Sequence, residues 1–233
     1  MTYTLITANR NYSSWSLRPW VLMKALGIAF DDRIEPFTKP ANYDEFRAFS
    51  PTGQVPVLLD GARTVWDSLG IALYLAERHA GVWPQDEGAR AFAMCAVTEM
   101  HGGFSALRGD CTMNVGVRVK PRPMRDALLR DVGRVREIFE EGLARFGGPW
   151  LAGPAFTALD AFFAPVAFRI RTYGLDVGAG QAWVDRVLAH PAMLEWEAEA
   201  LAESWREVGH ETELAECGEI VVDYRKSRSD AFE

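Results

Sequence analysis

Residues 50–77 constrain the fold more tightly than any other stretch of this 233-residue chain. Ser50-Pro-Thr-Gly-Gln-Val-Pro56 leads into two short apolar runs, VPVLLD and ARTVWD, joined around Asp60-Gly61. An Asp-Gly pair between apolar runs is a strong hairpin signal, because glycine accepts the positive φ of a tight turn. Ser68 to Glu77 then carries apolar residues at helical spacing. Upstream, TYTLIT is β-branched and reads as a strand. Trp15 to Leu26 reads as a helix with Gly27 as its stop. Phe30 to Pro36 reads as a second strand, and Tyr43 to Phe49 as a short helical stretch. The order β-α-β-α-β-β-α predicts a small α/β unit over residues 1–80.

That order is the order of a thioredoxin-like domain. The segment HAGVWPQDEGAR, residues 79–90, is rich in Gly, Pro and charge and reads as a linker. Beyond it the periodicity turns helical, with helices predicted over roughly 88–113, 122–146, 158–173, 179–189 and 191–207. Val115-Gly116, Gly147-Gly148-Pro149 and Gly178 supply the stops. Thr157-Ala-Leu-Asp160 fits an N-terminal capping box with Asp in place of Glu, and Phe156 is a staple candidate. The expected fold class is therefore α/β followed by all-α. A thioredoxin-like domain occupies 1–80, and an all-helical C-terminal domain occupies 88–210. Residues 211–233, with the strand-like IVVDY, are expected as a tail that lies across the surface or is disordered.

Composition excludes several functions. Apolar residues at 48% and charged residues at 24% are usual for a folded globular chain, which argues against disorder. No uncharged apolar run reaches the length of a membrane span, and the first residues lack the apolar core of a signal peptide. The default expectation is a soluble cytoplasmic protein. Net charge is −7, with the excess acid near the C-terminus, so phosphate backbones are repelled and nucleic acid is not an expected partner. The basic stretch Arg118 to Arg136 is read as a solvated helix face. Cys95, Cys111 and Cys217 are far apart and form no CxxC, and the four histidines show no HExxH spacing. No disulfide framework or metal site is expected. Cys95, in an apolar helical run, is read as a core residue.

Three local features carry chemistry. Asn11-Tyr-Ser-Ser-Trp-Ser-Leu-Arg18 lies between the first strand and the first helix, where free N–H groups and the helix dipole favour an anion. Its plainer reading is helix capping by Ser13, Ser14 or Ser16. Val55-Pro56, at the mouth of a strand, is a candidate cis bond, since cis costs an X–Pro pair only about 0.5–1 kcal/mol. Its plainer reading is an ordinary trans proline at a strand start. Trp66-Asp67-Ser68 opens the next helix, where donors could hold a carboxylate and Asp67 an ammonium. Its plainer reading is again a cap.

Taken together, these features resemble the glutathione S-transferase family. SPTGQVPVLLDGARTVWDSLGIALYLAERH follows the family's N-terminal pattern: N/S-P-x-G-x-V-P, strand, D-G, strand, E/D-S, then a helix with I-x-x-Y-L. The helical half, with its F-T-x-x-D box, looks like the family's C-terminal domain, so the resemblance covers about residues 1–207. It implies that glutathione is the co-substrate. Val55, beside cis Pro56, would bond its cysteinyl backbone, and Asp67 and Ser68 would hold the γ-glutamyl ammonium and carboxylate. Lys39 would reach the glycine carboxylate, and Gln54 belongs to the same set. Ser13 stands where the thiol-activating residue is expected, with Ser14 as the alternate. The zeta class reads S-S-C-S-W-R-V-R here; this chain keeps three serines and an arginine but has Trp15 in place of the cysteine. The resemblance thus implies a serine-type, zeta-like enzyme and, as a family habit, a homodimer.

A free thiol titrates near pH 8.5, yet the thiolate is the nucleophile. Lowering that pKa by one to two units requires roughly 1.4–2.7 kcal/mol, within reach of a serine hydroxyl donating to sulfur plus the helix dipole. The second substrate is expected to be a small apolar electrophile in a pocket between the domains. Trp15, Phe104, Leu107, Arg108, Cys111, Met113 and Asn114 are its candidate lining, with Arg108 able to orient an acidic group. Within the class, a glutathione-dependent cis–trans isomerase of the maleylacetoacetate isomerase kind and a dehalogenase stay open. So does a non-catalytic binding module of the same fold. A thiol reductase would need cysteine where Ser13 stands.

Overall fold

A computed structural model describes residues 3–38 and 42–225. The N-terminal elements follow the expected order. They are β1 (Tyr3–Thr7), α1 (Ser14–Ala25), β2 (Phe30–Ile34), α2 (Tyr43–Phe46), β3 (Val57–Asp60), β4 (Arg63–Trp66) and α3 (Ser68–Ala76). They form one mixed sheet in the order β2-β1-β3-β4. β1 runs parallel to β2 and antiparallel to β3, and β3 pairs with β4 through Asp60 opposite Arg63. Gly61 takes φ +60° in the turn, as its Asp-Gly signal requires. α1 ends in a two-bond glycine cap, Gly27 N–H to Lys24 O and Ile28 N–H to Met23 O. Its buried face, Leu17, Val21 and Leu22, joins Leu5 and Leu58 of the sheet in the core.

The helical half comprises α4 (Glu87–Gly102), α5 (Ser105–Asp110), α6 (Asp126–Phe146), α7 (Ala158–Tyr173), α8 (Gln181–Leu188), α9 (Pro191–Ala202) and α10 (Val208–Cys217). α7 is its axis. Almost every α7 side chain is buried, which requires an element surrounded by others, and it packs on α1, α4 and α8. Its start is fixed by the expected capping box between Thr157 and Asp160. Asp160 is fully buried and accepts Leu151 N–H (3.0 Å), Thr157 N–H (2.9 Å) and Trp183 Nε1–H (2.9 Å). Phe156 packs edge-on against the Trp150 ring.

Five sequence expectations are corrected. The helix expected over 88–113 is two helices. Gly102-Gly103 ends the first, and Phe104 takes a left-handed φ of 59° before the second begins. A Cβ on Gly103 would lie 2.7 Å from the Glu99 carbonyl, so glycine is needed at this bend. The helix expected to run on to 207 stops at Ala202, and α10 forms separately from Val208. The strand-like IVVDY of the expected tail does form a strand: β6 (Gly218–Asp223) pairs antiparallel with β5 (Val117–Pro121), so the half expected to be all-helical carries a two-stranded sheet. Residues 226–233 of that tail lie outside the described residues. Cys95 is exposed on α4, not in the core. The basic stretch from Arg118 begins on β5 and continues into α6, where Arg134 pairs with Glu99 at 2.7 Å and Arg136 with Glu140 at 2.8 Å. No described helix is long and apolar enough to cross a membrane.

Candidate active site

The loop before α1 is held by the far end of the chain. Arg10, 1% exposed, donates from Nε to Glu199 (2.7 Å) and stacks over Trp196 at 4.3 Å. The Trp196 indole N–H returns a bond to the Arg10 carbonyl at 2.9 Å. Asn11 Nδ2 donates to the Ala200 carbonyl (2.6 Å), and Glu203 accepts the Arg10 and Asn11 backbone N–H groups. Ordering a loop costs backbone entropy, and these contacts supply the offset. The next residues, Tyr12, Ser13, Ser14 and Trp15, are thereby fixed on the wall of a cavity of about 640 Å³, a size usual for small-molecule sites.

That cavity brings together most of the residues singled out from sequence. Ser13, Ser14, Trp15, Gln54, Val55, Pro56, Asp67 and Ser68 all line it. Ser13 stands at the N-cap of α1 yet makes no side-chain capping bond. Its hydroxyl donates instead to Ser16 Oγ at 2.7 Å, which in turn accepts the Ala8 N–H. The Ser14 hydroxyl makes no hydrogen bond among the described residues. Val55-Pro56 is cis. The preceding turn is closed by Ser50 Oγ, which donates to Gln54 O (2.6 Å) and accepts its N–H (3.1 Å). Gly53 has φ +66°, and a Cβ there would meet the Tyr43 ring at 2.5 Å, so both its conformation and its neighbour demand glycine.

On the opposite side, Asp67 has φ 68°, an uncommon conformation outside glycine and one that concentrates at functional sites. It does cap α3, with Oδ1 accepting Leu69 N–H at 2.8 Å. His101 Nε2, from α4, stands 3.5 Å from the same oxygen. Burial lowers the His101 pKa below its ordinary value; Asp67 opposes the shift, and Arg18 and Arg108 add to it. Ser68 is fully buried and its Oγ has no partner. A buried hydroxyl left unpaired is costly in a native structure and fits a ligand oxygen.

The expected electrophile lining is only partly present. Phe104, Cys111 and Met113 are 7%, 0% and 3% exposed in the core of the helical half and do not reach the cavity. They are core because they sit on the inward faces of the bend after α4, where an apolar stripe packs against α7. Asn114 and Leu107 are buried there as well. Arg108 is also off the cavity. Its guanidinium lies 4.3 Å from the Trp15 ring centre and donates to the Met100 and His101 carbonyls. Arg18, 2% exposed, stacks 4.1 Å from the same ring, with Nε and Nη1 unpartnered. Burial, then the charges of Arg108 and Arg169, push its pKa well down. Lys39 lies outside the described residues.

Sequence reasoning did not single out Tyr12, Phe37, Trp66, Glu207 and His210, which line the cavity together with Asn42, Tyr43, Phe46, Thr52 and Gly53. Tyr12 and Trp66 adjoin residues that were singled out. Glu207 closes the helix expected over 191–207 and His210 the expected helical domain, and no local signal marked either as a site residue.

A mixed four-stranded sheet with a cis proline entering β3, a helix N-terminus opposite a strained cap, and an appended helical half define a two-part protein of the thioredoxin fold. The family model for the glutathione S-transferase N-terminal domain matches residues 12–78, and that for the C-terminal domain matches residues 125–199. The chain belongs to the glutathione S-transferase family. It is 24% identical over 170 residues to a zeta-class glutathione S-transferase of Euphorbia esula, spanning 71% of this chain and 76% of that protein. It is 44% identical over 54 residues to dichloromethane dehalogenase of Methylophilus leisingeri, which is 22% of this chain and 20% of that enzyme. The chain thus spans about a fifth of the dehalogenase it matches. Among solved structures, a glutathione transferase homolog from Burkholderia gl BGR1 superposes with a TM-score of 0.65 at 21% identity, covering 86% of this chain and 98% of that one. At that identity the likeness shows the fold.

Proposed function

We propose that the cavity binds glutathione and that the chain catalyses attack of its thiolate on a small apolar electrophile. The observation that carries this reading is the convergence on one cavity of hydroxyls at the α1 N-terminus, the Val55 backbone, and Asp67 beside the unpartnered Ser68 Oγ. Asp67 would take the γ-glutamyl ammonium and Ser68 the carboxylate. Val55 would pair with the cysteinyl backbone, which leaves the sulfur near Ser13 and Ser14.

Ser13 is the proposed thiolate donor. A thiolate is an ionised acceptor and draws a stronger hydrogen bond than the Ser16 hydroxyl that Ser13 now serves. Ser14, whose hydroxyl is uncommitted, is a second donor to the same sulfur. Trp15 and Tyr12 provide the apolar surface for the electrophile. Lys39 and Gln54 complete the proposed glutathione set. Exposed Trp66, Leu73 and Met94 on β4, α3 and α4 suit a homodimer face.

Ser68→Ala tests the site without disturbing the fold, because Ser68 Oγ has no protein partner to lose. Wild-type calorimetry is expected to show saturable glutathione binding, with affinity falling about tenfold in Ser68→Ala, equivalent to about 1.4 kcal/mol. No saturable heat, or equal affinity in the two proteins, overturns the reading.

A second reaction, glutathione-dependent cis–trans isomerisation, is favoured by the zeta-class similarity over 71% of the chain. In it the thiolate adds to a conjugated carbon, the bond rotates, and the thiolate leaves. Trp15 in the position of the zeta cysteine weighs against it. Turnover of a conjugated cis-dienoic acid without net consumption of glutathione would establish it.

A further inference from the structure

A serine hydroxyl stabilises a thiolate but does not take up the proton the thiol gives away. One wall of the cavity, supplied by α10, bears on that proton. Glu207, 2% exposed, accepts the N–H groups of Gly209 (2.9 Å) and His210 (2.8 Å) and faces His210 Nδ1 at 2.7 Å. Burial opposes its charge, yet these donors together lower its pKa below the ordinary glutamate value. An ionised carboxylate only accepts, so Nδ1 carries a proton, and a neutral His210 presents Nε2 as a lone-pair acceptor. Nε2 has no hydrogen-bond partner among the described residues.

The ring is also held in place. It stacks on Tyr12 at 4.8 Å and 19° and on Phe37 at 5.1 Å and 21°. Tyr12 Oη in turn donates to Glu211 at 2.6 Å, and Arg225 pairs with Glu211 at 2.6 Å. The charged and titratable groups around the imidazole are thus Glu207 and Glu211 of the α10 segment, Arg206 just before it, Arg225 beyond β6, and Tyr12 of the α1 loop. The ring contact with Tyr12 places it beside the residue that precedes Ser13.

We propose that His210, oriented by Glu207, is the proton acceptor for the thiol in this cavity. The inference rests on the glutathione reading above. The S–H bond breaks with its electron pair left on sulfur, and an N–H bond forms at Nε2. A neutral thiol and a neutral imidazole become a thiolate and an imidazolium, with Glu207 as counter-ion. Where the gap exceeds one hydrogen bond, a bridging water carries the proton. When the thiolate adds to a conjugated carbon, the imidazolium returns the proton to the resulting carbanion. When a halide leaves with its electron pair, the proton passes to solvent. Among the described lining residues the other side-chain bases are the carboxylates of Asp67 and Glu207, both committed as helix caps.

The test counts protons. Calorimetry of glutathione binding near pH 7, in two buffers of different ionisation enthalpy, gives protons released per ligand bound, and ultraviolet absorbance gives thiolate formed. Wild-type protein is expected to form thiolate while releasing well under one proton. His210→Phe, which keeps a ring in the stack, is expected to release about one proton for each thiolate it forms. Glu207→Gln, which keeps the cap acceptor and removes the charge, is expected to fall between them. S-methylglutathione has no thiol proton and should bind both proteins with no such difference. Equal release per thiolate in wild-type and His210→Phe, or in wild-type and Glu207→Gln if the first variant does not fold, overturns the assignment of His210 alone. No binding of glutathione or of S-methylglutathione by wild-type protein overturns the reading of the cavity, and this inference with it.

Discussion

The two walls of the cavity are built by opposite means. The N-terminal wall is a set of short backbone devices: a helix start at Ser14, a glycine turn at Gly53, a cis proline at Pro56 and a strained cap at Asp67. Each has a backbone shape encoded near it in the chain, although the loop leading into Ser14 is also held by Glu199, Ala200 and Glu203. The C-terminal wall is a long-range docking, in which Glu203 and His210 meet a loop nearly 200 residues earlier and Glu207 holds the His210 ring. The contrast separates two kinds of information. Local stereochemistry sets the backbone of one wall, and non-local packing sets the side chains of the other.

The comparison breaks most severely if α7 is loosened, since α7 packs against α1 of the N-terminal wall and against β5, whose partner β6 packs on α10. Asp160→Ala leaves the N–H groups of Leu151 and Thr157 and the Trp183 indole buried without their acceptor. At about 1–3 kcal/mol for each unsatisfied donor, a loss of roughly 3 kcal/mol or more is expected in denaturant unfolding. A loss under about 1 kcal/mol would show that the box is not the anchor of the fold.

Ser13→Ala sharpens the role of the N-terminal wall. The bound thiol pKa is expected to rise by one to two units, so kcat/KM below that pKa falls roughly 10- to 100-fold while glutathione affinity changes little. An unchanged thiolate signal would transfer the donor role to Ser14.

His101, on α4, reaches the N-terminal wall at Asp67, and its effect is smaller. Its pKa in the folded protein lies below the unfolded value of about 6.5. Between those two values the unfolded chain binds the extra proton and the folded chain does not, so stability rises with pH there. The contribution is full above about pH 6.5 and is lost as the pH falls through the lowered value. His101→Gln, which does not titrate, should flatten that acid limb in unfolding measured from pH 5 to 7.5. A limb of unchanged slope would mean that another group supplies it.

The smallest effect concerns the cysteines. Cys95 is exposed, whereas burial pushes the Cys111 thiol up to about 12. A thiol reagent at neutral pH should label Cys95 first and leave Cys111 intact, and Cys95→Ser should leave turnover unchanged. A loss of turnover would place a reactive thiol in the mechanism where the cavity shows none.

What was legible in the sequence follows the same division. Asp60-Gly61, Gly27 and Thr157-Asp160 each encode a turn, a stop or a start in a few residues, and all three form. Ser13, Val55, Asp67 and Ser68 line one cavity, and they stand out in the sequence because their spacing along the chain is itself the motif. The bend at Gly102-Gly103 passed as helix because apolar spacing resumes just beyond it. β5 passed as part of a basic helix because its partner, β6, lies about a hundred residues away. Phe104, Cys111 and Met113 have the character of pocket or of core alike, and only the packing of α7 decides between them. His210 carries no signature in its own neighbourhood; its meaning comes from Tyr12 and Phe37, which reach it only in the folded chain.

The central claim is that this cavity holds glutathione as a thiolate. It is tested most directly by titrating the wild-type protein with glutathione while following thiolate absorbance as a function of pH. Saturable binding with a thiol pKa one to two units below the free value of about 8.5 is the expected result. Saturable binding with the thiol titrating at its free value, or no binding at all, would contradict it.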